Sequence, residues 1–337
     1  MSMENKVDDK LAIIVCGSNG AGKSTFIKGV LLDKFHQANT DILYINADDW
    51  QKKEFGRFEN DTDDHARQAQ QWANSERERC LSEGVSFITE TVFSHPSKID
   101  LLKEAKEKGF KVELYHIHVD SADKAIDRIK DRVKSGGHHV NDDKVRARYA
   151  RLTAIVSEAS QYAEHTFVID NSDSRLSHRF VLKLTQGKLE KIYCPPPAWV
   201  VTGYAQQLQE FQPRLEAGYR SMRAVANSSG VVLQQKTGDA WQDVEQMPAE
   251  GMKAGVYPLG TAKPAAADQS YEGEVVYKDN ASIFQQTKQG LVRHQNTEQL
   301  AGQVRIGQRY AIGNGQAKAA SLTASRSMKQ THGRRLR

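Results

Sequence analysis

Cysteine is scarce in this chain of 337 residues. The three cysteines, Cys16, Cys80 and Cys194, are odd in number and widely spaced, so they match neither a disulfide framework nor a zinc-binding pattern. No apolar run reaches the roughly 18 residues that a membrane-spanning helix needs. The N-terminal residues are polar and acidic, unlike a secretory signal. These absences favour a cytoplasmic protein that does not enter a membrane.

Hydrophobic residues make up 39% of the chain and charged residues 26%, a globular composition that excludes wholesale disorder. The length favours two domains. The three prolines at 195–197 can continue neither a helix nor a central strand and therefore indicate a boundary. From Cys194 onward Lys and Arg outnumber Asp and Glu by 17 to 11, whereas the preceding part carries 30 basic and 31 acidic residues. We predict four segments: a first domain over 1–193, a proline-led helical or linker region over 194–261, a small β-rich module over 271–318 and a basic disordered tail over 319–337.

The first segment alternates between strand and helix patterns. The apolar run at 11–16 ends at a glycine turn, which is typical of a buried parallel strand. Predicted strands cover residues 11–16, 42–45, 85–88, 112–119 and 167–169, and predicted helices cover 23–35, 61–82, 96–108, 122–134 and 142–163. This alternation predicts an α/β fold, in which a parallel sheet carries helices on both faces.

The downstream part shows weaker patterns. Residues 198–226 have some helical periodicity, and residues 262–270 have the composition of a linker. Short alternating runs between 271 and 318 predict the β-rich module. The tail from Ser325 holds five Lys or Arg residues and no acid. We therefore expect a smaller β-containing domain followed by a disordered end.

The most specific motif directly follows the first predicted strand. Residues 17–24 fit the phosphate-binding pattern G-x-x-x-x-G-K-[ST], between a strand and a helix. Its glycines let backbone N–H groups point at phosphate oxygens, Lys23 can reach the β- and γ-phosphates, and Ser24 can ligate Mg²⁺. An incidental glycine turn is the alternative. We predict that a nucleoside triphosphate is bound by Gly17, Ser18, Asn19, Gly20, Ala21, Gly22, Lys23, Ser24 and Thr25.

Polar side chains follow the next strands of the predicted sheet, at the edge where ligands collect in such folds. Asp48 and Asp49 follow the second strand, and Glu90 and Thr91 follow the third. A carboxylate that faces a bound γ-phosphate could accept the proton of a substrate hydroxyl. These acids therefore predict transfer of the phosphate to a small molecule.

Two arginines follow the fourth strand. Arg128 and Arg132 lie four residues apart on a predicted helix, ahead of a glycine pair at 136–137. Arginines on a segment of this kind could neutralise the charge on a transferring phosphoryl group. Together with the phosphate loop and the acids, they favour a small-molecule kinase.

Each of these side chains also has a plainer interpretation. Asp48 or Asp49 could cap a helix, and Glu90 could hold a loop by hydrogen bonds. Arg128 and Arg132 could be solvated or paired with neighbouring aspartates on the same helix. The kinase interpretation therefore depends on whether the folded chain brings these side chains to the phosphate loop.

The histidines carry weaker signals. His138 and His139 lack the further ligands that a metal site needs. His116 and His118 alternate with apolar residues in a predicted strand, so we expect packing or capping roles for them. Cys16, next to the phosphate loop, is expected to be a small buried hydrophobic residue.

Six stretches, taken in order, resemble the zeta-toxin family and especially its stand-alone branch of P-loop kinases. They are GSNGAGKSTF at 17–26, INADD at 45–49, FITETVFSHP at 87–96, RIKDRVKSGGHHV at 128–140, RARYARL at 146–152 and VIDNSD at 168–173. The ordered set spans about half of the chain and is more specific than the phosphate loop alone. The resemblance implies a P-loop kinase core. Asn141 departs from the pattern, since this branch usually has proline there.

Characterised members of this family transfer the γ-phosphate of ATP to the 3′-hydroxyl of UDP-N-acetylglucosamine, and a small antitoxin restrains them. The resemblance therefore implies ATP and Mg²⁺ as cofactors, a nucleotide sugar as substrate and a toxin of a toxin–antitoxin system. Only about ten residues precede the first predicted strand, so we expect any antitoxin to be a separate protein.

The resemblance also implies roles for individual residues. Asp48 takes the place of the carboxylate base that activates the sugar hydroxyl, while Lys23 and Ser24 keep the phosphate and magnesium roles. The other implied assignments are substrate positioning by Glu90 and Thr91, a catalytic lid arginine at Arg132 with Arg128 and Arg148 as neighbours, and a position near the adenine for Asn171.

Residues 271–316 resemble a small domain of the KfrB group of plasmid-encoded proteins, which implies a plasmid or another mobile element as the origin. Two other functions stay open. A kinase of the same fold could act on another nucleotide, an antibiotic hydroxyl or a polynucleotide end. Alternatively, the basic C-terminal half could bind DNA in a nucleotide-regulated plasmid-maintenance protein, although plain solubility also explains its basic tail.

Overall fold

The computed structural model describes residues 10–38, 40–56, 63–137, 140–227, 230–249 and 251–320. The chain divides into two compact units, a first unit of Met1–Glu216 with Asn296–Glu298 and a second unit of Ala217–Gln295 with Gln299–Arg337. The four-segment division from the sequence stays a prediction. Of the features considered in the sequence, His138, His139 and the basic tail from residue 321 lie outside the described residues.

Seven strands form one sheet in the first unit. They are β1 (Leu11–Cys16), β2 (Leu43–Ile45), β3 (Phe87–Thr91), β4 (Lys111–His118), β5 (His165–Asp170), β6 (Arg179–Thr185) and β7 (Lys188–Ile192). Their order is β2-β3-β1-β4-β5-β6-β7, and the first five are parallel. Because β1 lies between β3 and β4, its carboxyl end is at the topological switch point of the sheet, where ligands bind. The predicted α/β fold is confirmed.

The sheet continues past the run at 167–169, which was wrongly predicted to be its last strand. A hairpin of β6 and β7 follows, antiparallel to β5. Gln186 and Gly187, with φ of 48° and 76°, form the two-residue turn that such hairpins favour. Val181 and Leu182 of β6 are fully buried. The hairpin therefore adds an antiparallel edge that shares the hydrophobic core.

Helices cover both faces of this sheet. They are α1 (Lys23–Phe26), which continues through a π-helical turn (Ile27–Leu31) into α2 (Leu32–Gln37), and α3 (Ala47–Phe55), α4 (Asp63–Glu83), α5 (Lys98–Glu107), α6 (Ala122–Lys134), α7 (Asp142–Ala159), α8 (Ala198–Gly203) and α9 (Ala205–Tyr219). In β1, Ala12 and Ile14 join the core under α4, α5 and α7, while Ile13 and Val15 join the core under α1 and the π-helical turn. A strand covered on both faces needs the continuous apolar run that the sequence shows.

Two histidines of β4 lie deep inside the first unit. His116 is fully buried and its Nδ1 lies 2.8 Å from Tyr204 Oη, within hydrogen-bonding distance. The His118 ring stacks on Tyr149, with the ring centroids 4.4 Å apart. These contacts agree with the packing role expected from the sequence. Burial holds the pKa of His116 well below its ordinary value and lowers the pKa of His118 to about 4.

We expect the chain to lose stability as the pH falls below 6.5. With a folded pKa of about 4 against 6.5 in the unfolded chain, His118 binds fewer protons when folded, so acid favours unfolding between these values. Between pH 7.5 and 5.0, His118 should lower the free energy of unfolding by about 2 kcal/mol. Urea unfolding of the wild type and His118→Gln at both pH values tests this. On acidification the free energy of unfolding of the variant should fall by about 2 kcal/mol less than that of the wild type. An equal fall in both proteins would contradict the expectation.

The second unit consists mainly of two sheets. The first holds β8 (Met222–Asn227), β9 (Gly230–Thr237), β10 (Ala240–Met247) and β11 (Gly255–Pro258), in the antiparallel order β10-β9-β8-β11. The second holds β12 (Lys263–Pro264), β13 (Tyr271–Lys278), β14 (Ser282–Thr287), β15 (Gly290–Gln295), β16 (Arg309–Gly313) and β17 (Gln316–Ala319), with α10 (Glu298–Gln303) between β15 and β16. The six-stranded sheet confirms the predicted β-rich module.

The four-stranded sheet differs from the prediction. Residues 198–226 were expected to be helical, but α9 ends at Tyr219 and β8 begins three residues later. A second difference concerns the six-stranded sheet. Residues 262–270 were expected to be a linker, but they include its short strand β12. Most of β10 is exposed, so its sequence lacks the apolar alternation that marks a strand.

No helix within the described ranges is both long and apolar enough to cross a lipid bilayer.

Candidate active site

The phosphate loop lies between the carboxyl end of β1 and the start of α1. Lys23 opens α1, and its Nζ donates hydrogen bonds to the carbonyl oxygens of Gly17 and Ser18, each at 3.1 Å. Gly22 precedes the helix with φ 95°, and no side chain among the described residues caps it, so the first N–H groups are open to an anion. Burial lowers the pKa of Lys23, although two nearby carboxylates oppose this shift. An ammonium group and uncapped N–H donors therefore meet at one point, as phosphate binding requires.

Two glycines of the loop are sterically required. A Cβ on Gly17 would lie 2.0 Å from the carbonyl oxygen of Ile117 on β4. A Cβ on Gly20, where φ is 78°, would lie 2.4 Å from the carbonyl oxygen of Ala125 on α6. Both obstacles are backbone atoms, which cannot move aside as the end of a flexible side chain can. The loop therefore packs against β4 and α6 through its glycines.

Glu90, near the end of β3, is the polar centre of the site. Its carboxylate accepts hydrogen bonds from Ser24 Oγ at 2.9 Å, Asn46 Nδ2 at 2.6 Å and Tyr44 Oη at 3.2 Å. Burial raises the pKa of Glu90, and the charge of Lys23 opposes this shift. One carboxylate thus joins the phosphate loop to the ends of β2 and β3.

Helix α3, which follows β2, carries Asp48 and Asp49 in its first turn, and among the described residues only one of these two acids is free to accept a proton from a substrate. Asn46 caps α3, because its Oδ1 accepts a hydrogen bond from the Asp49 N–H at 3.1 Å. The alternative in which Asp48 or Asp49 caps the helix is therefore wrong, and both lie in its first turn. Asp49 pairs with Lys28 at 2.8 Å. The exposed Asp48 carboxylate has no ion pair or hydrogen bond within the residues that the structure describes.

Asp48 nevertheless lies close enough to the loop to act on its charges. Burial dominates the pKa shifts of Lys23 and Glu90, and the Asp48 carboxylate raises the pKa of both. An unpaired acid within electrostatic reach of the loop lysine has the position that a proton acceptor for an incoming hydroxyl requires. The fold therefore brings Lys23, Asp48 and Glu90 to one edge of the sheet.

The three predicted arginines lie on α6 and α7, and each acts on the loop or on a residue that contacts it. Arg148 Nη1 donates a hydrogen bond to Asn19 Oδ1 at 3.2 Å. Arg132 is exposed, and its charge acts on the loop lysine. The charge of Arg128 acts on His178, which contacts the loop. Positive charge is thus concentrated where a transferring phosphoryl group would be negative.

Asn171 braces the loop from the segment after β5. Its Nδ2 donates to the Ala21 carbonyl oxygen at 2.8 Å, and its Oδ1 accepts from the His178 N–H at 3.1 Å. His178 Nε2 in turn lies 3.1 Å from the Gly22 carbonyl oxygen, and its ring packs 5.2 Å from that of Phe26. The structure places Asn171 on the loop backbone, while its closeness to the adenine stays a prediction.

The remaining predicted residues lie at the margins of the site. Thr91 Oγ1 accepts a hydrogen bond from the Phe93 N–H at 3.3 Å, in a turn where Phe93 has φ 57°. Thr25 is exposed on α1. Ser18 is fully buried, and its Oγ lacks a hydrogen-bond partner in the described part of the chain. Ligand binding by Thr91 and by Thr25 stays a prediction.

Sequence reasoning missed Tyr44 and His178, and it gave no role to Asn46. Tyr44 and Asn46 are two residues apart at the end of β2, so a strand would place both on one face, and this spacing could have linked them to a polar neighbour. His178 belongs to a loop without a motif. Only the folded chain shows that it reaches the backbone of the phosphate loop.

Comparison with known proteins places the chain in a family. The Zeta toxin family model matches residues 3–180, more than half of the chain, and the KfrB Domain model matches residues 270–321. A protein of Haemophilus influenzae, described as uncharacterized, is 32% identical over 156 residues, which are 44% of this chain and 94% of that protein.

Solved structures show more distant similarities. A chain of the AvrRxo1-ORF1:-ORF2 complex with ATP is 15% identical, with a TM-score of 0.43 over 55% of this chain. The match covers 61% of that chain, so this protein spans about three fifths of its length. The PezAT chromosomal toxin–antitoxin system of Streptococcus pneumoniae is 15% identical, with a TM-score of 0.38 over 62% of this chain and 87% of that chain.

The Zeta toxin match covers the parallel sheet and the phosphate loop together with Asp48, Glu90 and Asn171. It confirms the resemblance inferred from six ordered stretches of sequence, and the KfrB match confirms the second resemblance. The chain therefore belongs to the zeta toxin family, and its first unit has the P-loop kinase fold.

Proposed function

We propose that this chain is an ATP-dependent kinase that transfers the γ-phosphate to a hydroxyl of a nucleotide sugar. The family resemblance favours the 3′-hydroxyl of UDP-N-acetylglucosamine. Such a reaction would deplete a precursor of peptidoglycan. The chain would then act as the toxin of a toxin–antitoxin pair, with a separate antitoxin as its partner. The proposal is supported chiefly by the meeting of Lys23, Asp48 and Glu90 at one edge of the parallel sheet.

The residues at this edge fit a magnesium ion bound between protein and phosphates. Ser24 Oγ lies 2.9 Å from a Glu90 carboxylate oxygen, so two hard oxygen ligands lie side by side. Mg²⁺ usually takes one or two carboxylates, waters and phosphate oxygens rather than an all-protein cage. Within the described ranges, no group of three or more His, Cys, Asp or Glu side chains could hold a metal. Ser24 and Glu90 would hold the ion, which when bound neutralises phosphate charge.

Other side chains of the chain would bind the phosphates, accept the proton and stabilise the transferred group. Lys23, which donates to loop carbonyls in this structure, would turn to the β- and γ-phosphate oxygens. Asp48 would accept the proton of the acceptor hydroxyl as the new O–P bond forms and ADP leaves. Arg128 and Arg132 would stabilise the charge of the group in transfer. Asn171 would keep the loop in shape by its hydrogen bond to Ala21.

The direct test is incubation of the chain with ATP, Mg²⁺ and UDP-N-acetylglucosamine. We expect ADP and a phosphorylated nucleotide sugar in equal amounts. Lys23→Ala should lower the rates at which both products form by at least about 100-fold, because the loop loses the positive charge that it directs at the phosphates. Mass spectrometry of nucleotide sugars in cells that express the wild type or Lys23→Ala would identify the acceptor.

Lys34→Ala is the matched control, since Lys34 is an exposed lysine on α2 of the same continuous helix. It should keep wild-type activity. Transfer of phosphate to another nucleotide, an antibiotic hydroxyl or a polynucleotide end would retain the kinase and replace the acceptor. Binding of ATP without transfer to any acceptor would contradict the proposal.

A further inference from the structure

Arg77 is a partly buried cation on α4 at the edge of the sheet that carries the acids. Its Nη1 donates a hydrogen bond to Thr89 Oγ1 at 3.2 Å. Thr89 directly precedes Glu90 on β3 and pairs with Ile45, the last residue of β2. Arg77 therefore reaches the place where β2 ends beside β3 and α3 begins.

A second cation, Lys98, lies within electrostatic reach of Arg77. Lys98 is half-buried and opens α5, after the loop that leaves the carboxyl end of β3. Burial lowers the pKa of Lys98, and the charge of Arg77 lowers it further. A cation in the first turn also opposes the helix dipole. Burial, the neighbouring cation Arg77 and the N-terminal end of the helix therefore all destabilise the protonated, charged form of Lys98.

No carboxylate forms an ion pair with either cation in the part of the chain that the structure describes. Glu78, the residue after Arg77, is exposed, and it only partly offsets the lowering of the Arg77 pKa by burial. Other cations on the same two helices are paired, such as Arg79 with Glu76 and Lys103 with Asp100. Arg77 donates hydrogen bonds to two neutral acceptors, Thr89 Oγ1 and Asn74 Oδ1. A partly buried charge that lacks an opposite charge disfavours folding. Such an arrangement is typical of a site whose ligand supplies the missing charge.

We propose that Arg77 and Lys98 form a subsite for a phosphate group of the acceptor. Successive strand residues point to opposite faces, so Thr89 faces α4 and α5 while Glu90 faces the phosphate loop. An acceptor that lies across this edge would place its hydroxyl near Asp48 and its phosphate at the cation pair. The guanidinium fork and the ammonium group both suit phosphate oxygens. The subsite thus deepens the proposed function, on which it rests, by assigning the two residues that bind a phosphate group of the nucleotide sugar, and it disfavours a neutral sugar or antibiotic as the acceptor.

Sulfate is a suitable probe, because it resembles a phosphate group and does not depend on the identity of the acceptor. The full chain is first saturated with Mg²⁺ and a non-hydrolysable ATP analogue, so that the phosphate loop is occupied. Added sulfate should then raise the melting temperature. Arg77→Gln and Lys98→Gln should each weaken the apparent sulfate affinity by about tenfold, since a charge-assisted hydrogen bond is lost.

Arg79→Gln and Lys103→Gln are matched controls that remove the same charge from paired positions on the same helices. They should keep the wild-type response, which includes the general stabilisation of proteins by sulfate. A wild-type response in Arg77→Gln and Lys98→Gln would overturn the subsite. Equal weakening in all four variants would also overturn it, because long-range charge would then explain the effect.

Kinetics with UDP-N-acetylglucosamine separate the subsite from the proposed function. Arg77→Gln and Lys98→Gln should raise KM for this acceptor about tenfold with kcat nearly unchanged, a pattern that general misfolding does not produce. Turnover with an unchanged KM in both variants would overturn the assignment of the subsite to the acceptor. A sulfate response specific to these two variants, without turnover by the wild type, would uphold the anion site and contradict the proposed function.

Discussion

Replacement of Asp48 by asparagine should slow phosphoryl transfer by about 10²–10⁴-fold, the usual contribution of a general base. The substitution keeps the size of the side chain and removes its negative charge and its ability to accept a proton. Because Asp48 is exposed and makes no hydrogen bond or ion pair among the described residues, the fold should tolerate the change. The affinity for ATP should not fall, since the side chains and glycines of the phosphate loop are unchanged and the lost charge is negative, like the charges of the phosphates. The rate of ADP formation with acceptor, and calorimetric titration of ATP, measure the two effects.

Asp49 provides the matched control, one residue later in the same turn of α3. It pairs with Lys28 at 2.8 Å, and both side chains are about half exposed. An exposed pair of this kind contributes about 0–1 kcal/mol, so Asp49→Asn should change stability little and leave the rate close to that of the wild type. A normal rate in Asp48→Asn, or equal losses in both variants, would show that Asp48 is not the base.

Substitution of alanine for Gly17 should be the most damaging change in the phosphate loop. The added carbon would lie 2.0 Å from the carbonyl oxygen and 3.1 Å from the carbonyl carbon of Ile117. Both atoms belong to β4 in the middle of the sheet, so relief requires movement of the backbone. We expect a loss of about 3 kcal/mol or more in the free energy of unfolding, together with loss of measurable ATP binding. Chemical unfolding and calorimetric titration of ATP test both effects.

Gly29→Ala is the control for this substitution. Gly29 lies in the π-helical turn of the same continuous helix, and an added Cβ would meet no heavy atom of the described residues within 4 Å. Alanine there should stabilise the chain by about 0.5–1 kcal/mol, because glycine loses more backbone entropy in a helix. ATP binding should be unchanged. Wild-type stability in Gly17→Ala would contradict the close packing of the loop against β4.

Local signals explain why much of the first unit could be predicted. Helix α6 was predicted over residues 122–134, and the structure has it at Ala122–Lys134. Its start is set by Ser121, whose Oγ accepts a hydrogen bond from the Lys124 N–H at 3.2 Å. Ala125, Ile126 and Ile129 supply its buried face. A cap and an apolar periodicity are both features of a short stretch of sequence, so no knowledge of the rest of the chain was needed.

Other elements lacked such signals. Helix α3 begins with Ala47 and two acids, carries few apolar residues and was not predicted. In β9 the last residues are exposed, and β10 is exposed along most of its length, so neither strand shows regular alternation. These strands pair with each other through backbone hydrogen bonds, which any sequence can form. Their existence depends on neighbouring strands rather than on their own side chains.

By itself, the sequence determined that the chain has a phosphate loop, because the spacing of its glycines, lysine and serine is a local property. It also determined the family, because six motifs follow one another in a fixed order along the chain. Only the tertiary structure decided which acid is available, since Asp49 is engaged by Lys28 from another helix while Asp48 is not. It also decided that Glu90 accepts hydrogen bonds from Tyr44 on the neighbouring strand β2 and from Asn46, which follows that strand. Contacts between residues far apart along the chain depend on how strands and helices pack, and a pattern within one element carries no record of that packing.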